Sequence, residues 1–308
     1  MRDIYQKTLS KQINFKGIGL HSGKESKIKL CAAEADHGII FKRVDLNKNN
    51  LIKASFNNVS SARLCTTLEN NSGVKVSTVE HLLAALYISG IDNALVEIDS
   101  EEVPIMDGSS QDFLNEIKKT DLMEQSKKRK YLKILNKIKL VDGKRKISIE
   151  PNDSSLQVSF QLNYENKIIG NQKNVVDFHK DDLDDITKSR TFCLYEDIEK
   201  IKKFGLAKGG SLENAVVVKN DKVMNEGGLR NKKEFVNHKI LDLAGDFLLS
   251  GYRILGKVAC YQGGHELTNL FLRKIFNQKT EIKVIELEDA KVSKKILSKQ
   301  IEKLAVNA

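Results

Sequence analysis

The sequence predicts an α+β protein built from two similar domains that face each other. The chain has 308 residues, enough for about two ordinary domains with their own cores. Its 40% hydrophobic and 30% charged residues are typical of a globular protein. One order of elements occurs twice, over residues 78–117 and 232–276: a helix with a histidine, a glycine, a strand, a turn of small residues and a second helix. Two related domains with a site between them would explain this repeat.

The first half reads as strands followed by a helix, a strand and a helix. Up to residue 60, alternating and apolar runs such as 27–30 and 38–41 predict strands, and glycines separate them. An apolar helix is expected from Val79, after the N-capping pair Ser77-Thr78, and Gly90 ends it. A strand over 94–98 and a helix through residues 113–117 complete this half.

The charge run over 118–130 is the best candidate for a boundary, so we expect domains at 1–126 and 127–308. Beyond it, a hairpin is expected around Asn220-Asp221 and a long helix over 232–250. The remaining predicted elements are strands at 137–140, 145–149, 157–162, 254–261 and 280–287, a helix at 266–275 and a lysine-rich helical tail.

Composition excludes several classes of protein. The net charge of +10 raises the question of an anionic partner, but the lysines are scattered, aromatic residues are only 6%, and Trp is absent. That is a poor set of stacking platforms for nucleic acid. The cysteines form no C-x-x-C pair, which argues against a cysteine zinc ribbon and fits a reducing, cytoplasmic setting. Residues 1–10 have no apolar signal-peptide core, and no apolar run approaches the ~18 residues of a membrane span.

The long predicted helix carries a polar stripe on an otherwise apolar surface. His238, Asp242 and Asp246 are spaced four residues apart, so their side chains leave nearly the same face, with Lys239 at its edge. Histidine plus a carboxylate is a common zinc ligand set, which needs a third ligand when the zinc is catalytic. The alternative is a surface hydrogen bond or charge pair, because His-x-x-x-Asp has no motif-grade specificity.

Two other histidines are candidates for the same site, each with a structural alternative. His81 could be the third metal ligand, and Glu80 a general base, or Ser77-x-x-Glu80 could be a helix capping box beside a packed histidine. His265 follows two glycines and opens a helix. It could be a general acid kept protonated by a carboxylate such as Asp246, or merely a helix cap. The residues alone leave both alternatives open.

Known phosphate-binding glycine loops and the H-E-x-x-H motif are absent, so neither ATP or NAD use nor that metalloprotease class is supported. Other short motifs carry a resemblance instead. They are GIGLHSG (17–23), STVEHL (77–82), GIDNA (90–94), VPIMDGS (103–109), SRTF (189–192), GGSLENA (209–215), HKILD (238–242) and GGH (263–265). In this order, from about residue 5 to residue 276, they resemble the bacterial UDP-3-O-acyl-N-acetylglucosamine deacetylases, which commit their substrate to lipid A synthesis.

The resemblance implies a fold and a zinc-dependent amidohydrolase. The implied fold is α+β, with two similar two-layer α/β sandwich domains packed face to face and the active site between them. The implied zinc ligands are His81, His238 and Asp242. The implied catalytic residues are Glu80 as base, His265 as acid, Asp246 as its orienting partner and Thr191 as an oxyanion donor. The implied substrate contacts are Lys239, Phe192, Leu20, Cys65, Gly210 and Val217.

The expected substrate is an acylated UDP-sugar, whose fatty chain would enter a passage formed by an insert at about 191–218. We expect a monomer without nucleic acid, and a transient membrane-surface contact through the acyl chain stays open. The chain departs from the family at Cys193-Leu194, where glycine and an aromatic are frequent, and at Asn237, Glu266 and Thr268. The alternatives are a zinc deacetylase of another acylated sugar and a non-catalytic basic protein that binds nucleic acid.

Overall fold

Both helices and sheets make up the chain in this computed structural model, which describes residues 3–288, and the predicted α+β class is confirmed. The lysine-rich helix expected after residue 288 lies outside the described residues. Within 3–288, no helix is long and apolar enough to cross a membrane. The predictions of a monomer and of a cytoplasmic location stay predictions.

The first half is organised around a five-stranded sheet with the strand order β2-β3-β9-β4-β5. Burial alternates along β2 and β3, so one face of this sheet packs inward and the other faces solvent. The strands are β1 (Tyr5–Leu9), β2 (Ile13–Ile18), β3 (Glu25–Ala32), β4 (Ile39–Arg43), β5 (Leu51–Lys53), β6 (Val59–Ser61), β7 (Thr67–Glu69), β8 (Lys75–Val76) and β9 (Ala94–Ile98). The helices are α1 (Glu80–Ser89) and α2 (Gln111–Lys118).

The second half contains a seven-stranded sheet, in which β19 pairs with β11, β13 and β14. Its strands, with those of the smaller sheets, are β10 (Leu122–Lys128), β11 (Lys130–Ile134), β12 (Ile138–Asp142), β13 (Arg145–Pro151), β14 (Leu156–Asn163), β15 (Asn171–Asp177), β16 (Phe192–Leu194), β17 (Val216–Lys219), β18 (Lys222–Val223), β19 (Arg253–Tyr261) and β20 (Ile282–Glu286). The helices are α3 (Asp184–Thr187), α4 (Tyr195–Lys203), α5 (Glu234–Leu248) and α6 (His265–Asn277).

The predicted elements are found with small shifts at their ends, and the hairpin around Asn220-Asp221 is the β17–β18 pair. The last strand begins later than expected, because a 3₁₀ turn, Lys279–Glu281, precedes β20. The charge run at 118–130 forms no open linker: β10 pairs antiparallel with β1, and β11 begins at once. The division of the chain at 126 stays a prediction.

Helices α1 and α5 pack directly against each other and join the two halves in one continuous apolar core. The two helices approach closely at Gly245, where an added Cβ would lie 2.1 Å from the carbonyl oxygen of Glu80. Only glycine fits at that contact. At the other end of α1, Arg253 of β19 donates to the carbonyl oxygens of Leu86 and Ile91 and stacks on the ring of Tyr87. The second half thus fixes both ends of α1.

Candidate active site

Three potential metal ligands converge where α1 meets α5. His81 lies in the first turn of α1, and His238 and Asp242 lie one turn apart on α5. One ligand atom from each of these buried residues lies within 4.8 Å of the others. Asp242 Oδ1 is 3.5 Å from Nε2 of His81 and 3.3 Å from Nε2 of His238. The structure therefore brings together the three ligands that the resemblance implies.

The chemistry of these side chains fits a divalent metal. Asp242 Oδ1 is buried and has no hydrogen-bond partner among residues 3–288, which is costly for a carboxylate oxygen unless a cation binds there. Nδ1 of His238 lies 3.0 Å from the carbonyl oxygen of Ser189, so Nε2 is left for a ligand bond. Burial lowers the pKa of His238 to about 3, despite the charge of Asp242. A neutral imidazole is the form that binds metals.

Beside the three ligands lies a second group of buried polar side chains. His265, the first residue of α6, places Nδ1 2.8 Å from Asp246 Oδ2, and its Nε2 is 3.6 Å from Glu80 Oε1. Burial would lower the pKa of His265, but the charges of Asp246, Glu80 and Asp242 outweigh it and raise the pKa to about 10. His265 is thus held protonated beside two carboxylates, as a general acid requires.

The capping-box alternative for Glu80 is wrong. Val79 is the N-cap of α1 and its side chain makes no capping bond, while the hydroxyl of Ser77 donates to the carbonyl oxygen of Glu101. Glu80 instead accepts a hydrogen bond from the backbone N–H of Thr66 at 3.0 Å. Burial raises the pKa of Glu80 against the opposing charges of His265 and His81. A carboxylate with a raised pKa is a better proton acceptor than an exposed one.

Lys239 and Phe192 border the metal ligands. The ammonium of Lys239 donates to Asp242 Oδ2 at 2.9 Å and lies 5.6 Å from the centre of the Phe192 ring. Burial lowers the pKa of Lys239, but the Asp242 carboxylate more than offsets this and the pKa is raised. The ring of Phe192 also meets that of His238, with 6.4 Å between centroids. A positive charge and an aromatic surface therefore adjoin the site.

From Phe192 a largely apolar cavity of about 390 Å³ runs between loops of the first half and the insert. Its lining includes four of the six expected contact residues (Leu20, Phe192, Gly210 and Val217), together with Thr191 and Cys193. The other two expected contacts are not in this lining: Lys239 adjoins Asp242, and Cys65 is buried beside Glu80, where burial raises its pKa to about 12. The cavity has the shape and polarity expected of a passage for a fatty chain.

Sequence reasoning missed residues that hold the site together. Thr66 bridges both carboxylates of the second group, because its N–H binds Glu80 and its hydroxyl donates to Asp246 at 2.7 Å. Glu102 fixes the loop at 17–23 by accepting from the N–H groups of His21 and Ser22. No spacing pattern marks either residue. Ser189 belongs to the SRTF motif (189–192), but it contacts Nδ1 of His238 through its backbone carbonyl oxygen. Every residue has such a carbonyl, so the sequence does not reveal this contact.

Comparison of the sequence with known proteins agrees with this geometry. The sequence model of the UDP-3-O-acyl N-acetylglycosamine deacetylases matches residues 6–277, which include every candidate ligand and catalytic residue. The chain belongs to the UDP-3-O-acyl N-acetylglycosamine deacetylase family. The family resemblance predicted from the motifs is thus confirmed.

Several bacterial relatives named as UDP-3-O-acyl-N-acetylglucosamine deacetylase are similar along nearly their whole length. The relative from Haemophilus ducreyi is 38% identical over 291 residues, 93% of this chain and 94% of its own. The one from Geotalea uraniireducens is 41% identical over 284 residues, 92% of each chain. The one from Geobacter sp. (strain M21) is 42% identical over 276 residues, 89% of this chain and 90% of its own.

Proposed function

We propose that the protein is a zinc-dependent hydrolase that removes the acetyl group from the 2-acetamido nitrogen of UDP-3-O-(3-hydroxyacyl)-N-acetylglucosamine. This is the committed step of lipid A biosynthesis in the family. The observation that carries the proposal is the convergence of His81, His238 and Asp242, with one carboxylate oxygen left without a partner, beside Glu80 and a protonated His265.

His81, His238 and Asp242 would hold the zinc. When bound, zinc polarises an amide carbonyl and makes water a stronger nucleophile near neutral pH. The two imidazoles are neutral ligands and Asp242 is an anionic one, a set typical of hydrolytic zinc sites that keep a position open for substrate. Lys239 balances part of the carboxylate charge through Asp242 Oδ2, and Oδ1 remains free for the metal.

Hydrolysis needs one group that accepts a proton and one that donates one. Glu80 accepts the proton of the attacking water, whose oxygen bonds to the acetyl carbon. His265 then donates a proton to the amide nitrogen, the carbon–nitrogen bond breaks, and acetate and a free amine leave. The Nε2 of His265 and Oε1 of Glu80 are 3.6 Å apart, so both can reach one tetrahedral centre. Thr191 would donate to the oxyanion, and Asp246 orients His265.

Features around the reacting groups support the acylated nucleotide sugar as substrate. The positive charge of Lys239 suits a diphosphate, and Phe192 adjoins it. The apolar cavity begins at Phe192 and would take the 3-O-acyl chain. Cys193 is in the lining where relatives often have glycine, so it narrows the passage of this chain.

A deacetylation assay on the acylated nucleotide sugar tests the proposal. We expect a chelator to abolish turnover and zinc to restore it. The matched substrate without the 3-O-acyl group should turn over much more slowly. Equal rates would contradict the passage, and turnover that a chelator leaves unchanged would contradict the metal.

The two proton-transfer roles have a test of their own in the pH dependence of kcat/KM. A bell-shaped profile is expected, because Glu80 must be ionised and His265 protonated. Glu80→Ala should remove the acidic limb from the residual rate, and His265→Ala the basic limb. A profile that neither substitution changes would assign the roles to other residues.

A further inference from the structure

Exposed apolar side chains form part of the lining of the apolar cavity. Within residues 3–288, fourteen large hydrophobic residues are exposed, and most are scattered singly. Four of them line this one cavity: Leu64, Tyr195, Leu212 and Met224. Phe204, which is 65% exposed, joins them through Arg63, whose guanidinium lies 4.8 Å from the centre of its ring. A concentration of this kind marks an interaction site more often than chance.

Cations without ion pairs lie among these apolar side chains. Arg63, Lys202, Lys203 and Lys208 are exposed and form no salt bridge with any residue in 3–288. Lys202 lines the cavity itself, and Lys208 follows Ala207, which also lines it. Three acidic residues are also present, since Glu199 is in the lining and the exposed Glu196 and Glu213 follow Tyr195 and Leu212. The four cations, with Lys219 lying 4.0 Å from the centre of the Tyr195 ring, outnumber them and leave the patch net positive. We call the five apolar residues and these four cations the basic–apolar rim.

We propose that the basic–apolar rim docks on the surface of an anionic lipid bilayer. Apolar side chains with lysine and arginine between them suit the boundary between headgroups and acyl chains. The cations are attracted to the headgroup phosphates, and the apolar side chains enter the apolar layer.

Charge argues against a second copy as the occupant. In a two-fold dimer the same net-positive patch would face itself. Like charges at such a contact disfavour association, whereas the phosphates of an anionic bilayer complement them.

Docking would have a consequence for the proposed reaction. Five rim residues line the cavity itself, so an acyl chain could pass from the bilayer into the cavity without crossing water. This consequence depends on the proposed function, but docking does not.

The test is sedimentation of the full-length chain with vesicles, without substrate. The vesicles are of phosphatidylcholine alone or of phosphatidylcholine with phosphatidylglycerol. We expect binding to the second kind only, falling as salt rises. Lys203→Gln and Arg63→Gln should each weaken it about fivefold, and Phe204→Ser should weaken it further. None of these residues lines the cavity.

Two substitutions elsewhere are matched controls: Leu270→Ser, at a residue 45% exposed on α6, and Lys118→Gln, at the end of α2. Neither should change vesicle binding. The proposal is overturned if the full-length chain binds no anionic vesicles, or if the rim variants bind as well as the controls. It is also overturned if the chain dimerises in the absence of lipid and the rim substitutions abolish that. A chain that binds vesicles through the rim and does not deacetylate would leave docking intact and remove the proposed function.

Discussion

The two helix–strand–helix units, α1–β9–α2 and α5–β19–α6, have the same order of elements and supply very different chemistry. The first unit gives the site two adjacent residues, Glu80 and His81, both from the first turn of one helix. The second gives a three-residue stripe along α5 and His265 at the start of α6. A repeated architecture therefore does not repeat its chemistry, and neither unit holds a complete set of metal ligands.

The second helices of the two units show the same contrast. The start of α6 places His265 beside the carboxylates of Asp246 and Glu80. The residue before α2, Ser110, contacts the backbone of α1 instead. The hydroxyl of Ser110 donates to the carbonyl oxygen of His81 at 2.8 Å. One helix start thus provides the proposed acid, and the other holds the helix that carries the proposed base and a proposed metal ligand.

The largest effect is expected when a metal ligand is removed from either unit. His81→Ala in the first and His238→Ala in the second should each abolish zinc binding and lower kcat/KM by more than about a thousandfold, because several kcal/mol of transition-state stabilisation is lost. Metal analysis should find about one zinc per chain in the unsubstituted protein.

The matched control is His179→Ala, at an exposed histidine outside the site, which should keep both metal and activity. If either ligand variant were folded and retained full zinc, the metal site would not span the two units.

A smaller effect is expected at Thr66, which links the base from the first unit to the acid's partner in the second. Thr66→Val removes only the hydroxyl that donates to Asp246, and we expect kcat to fall about tenfold or more, the range for a hydrogen bond to a charged group. Thr66→Ser keeps the hydroxyl and should restore most of the rate. Equal rates in the two variants would show that this hydrogen bond does not serve the reaction, provided that both retain zinc.

The contact between the units can be tested at Gly245. In Gly245→Ala the new Cβ would meet the carbonyl oxygen of Glu80, so α1 and α5 must separate. We expect the free energy of unfolding to fall by about 1–3 kcal/mol, as in other overpacked cores. Denaturant titration measures it, with Gly264→Ala as the control, since a Cβ there meets nothing within 4 Å. Equal stability of the two variants would mean that α1 and α5 separate without lowering the free energy of unfolding.

The smallest effect is expected at the ion pair between Asp107, before α2, and Arg230 of the second half, which are 2.6 Å apart. Burial raises the pKa of Asp107, but Arg230 and Ser109 outweigh it and hold the pKa below the ordinary value of 3.8. The pair therefore stabilises the folded state above that value, and its contribution disappears as the pH falls through the lowered pKa.

Asp107→Asn should cost about 1 kcal/mol near neutral pH, since the pair is partly exposed. The difference in Tm from the unsubstituted protein should close at acidic pH. The exposed Asp121→Asn is the control and should show no difference at either pH. A difference in Tm that stays constant with pH would mean that the charge of Asp107 does not stabilise the folded state.

Most regular elements could be predicted because their signals are local. The apolar face and the glycine end of α1, or the alternation in β3, depend on residues close in the sequence. What could not be predicted depends on distant partners. The charged strand β10 has no apolar alternation and forms because β1 pairs with it. Helix α4 was not predicted either: none of its residues is buried, and its apolar side chains Tyr195, Ile198 and Ile201 line the cavity instead of the core.

The candidate site shows the same limit. Helical spacing predicted the stripe His238, Asp242 and Asp246. Its partner His81 lies far away in the sequence, and the residues alone did not distinguish a metal ligand from a packed histidine there. Only the resemblance to the family assigned these residues to one site. The bridging role of Thr66 depends on one backbone N–H and one hydroxyl brought to two carboxylates by tertiary packing, which no pattern in a single sequence encodes.

Glu80 and His81 are consecutive in the chain, so no movement of α1 can displace one without the other. A tilt of this helix that loosens the grip on the metal also changes the distance from the base to His265. The proposed roles of Glu80 and His81 therefore couple metal preference to pH optimum. We expect natural or engineered variants of this enzyme that change one of them by moving α1 to change the other as well.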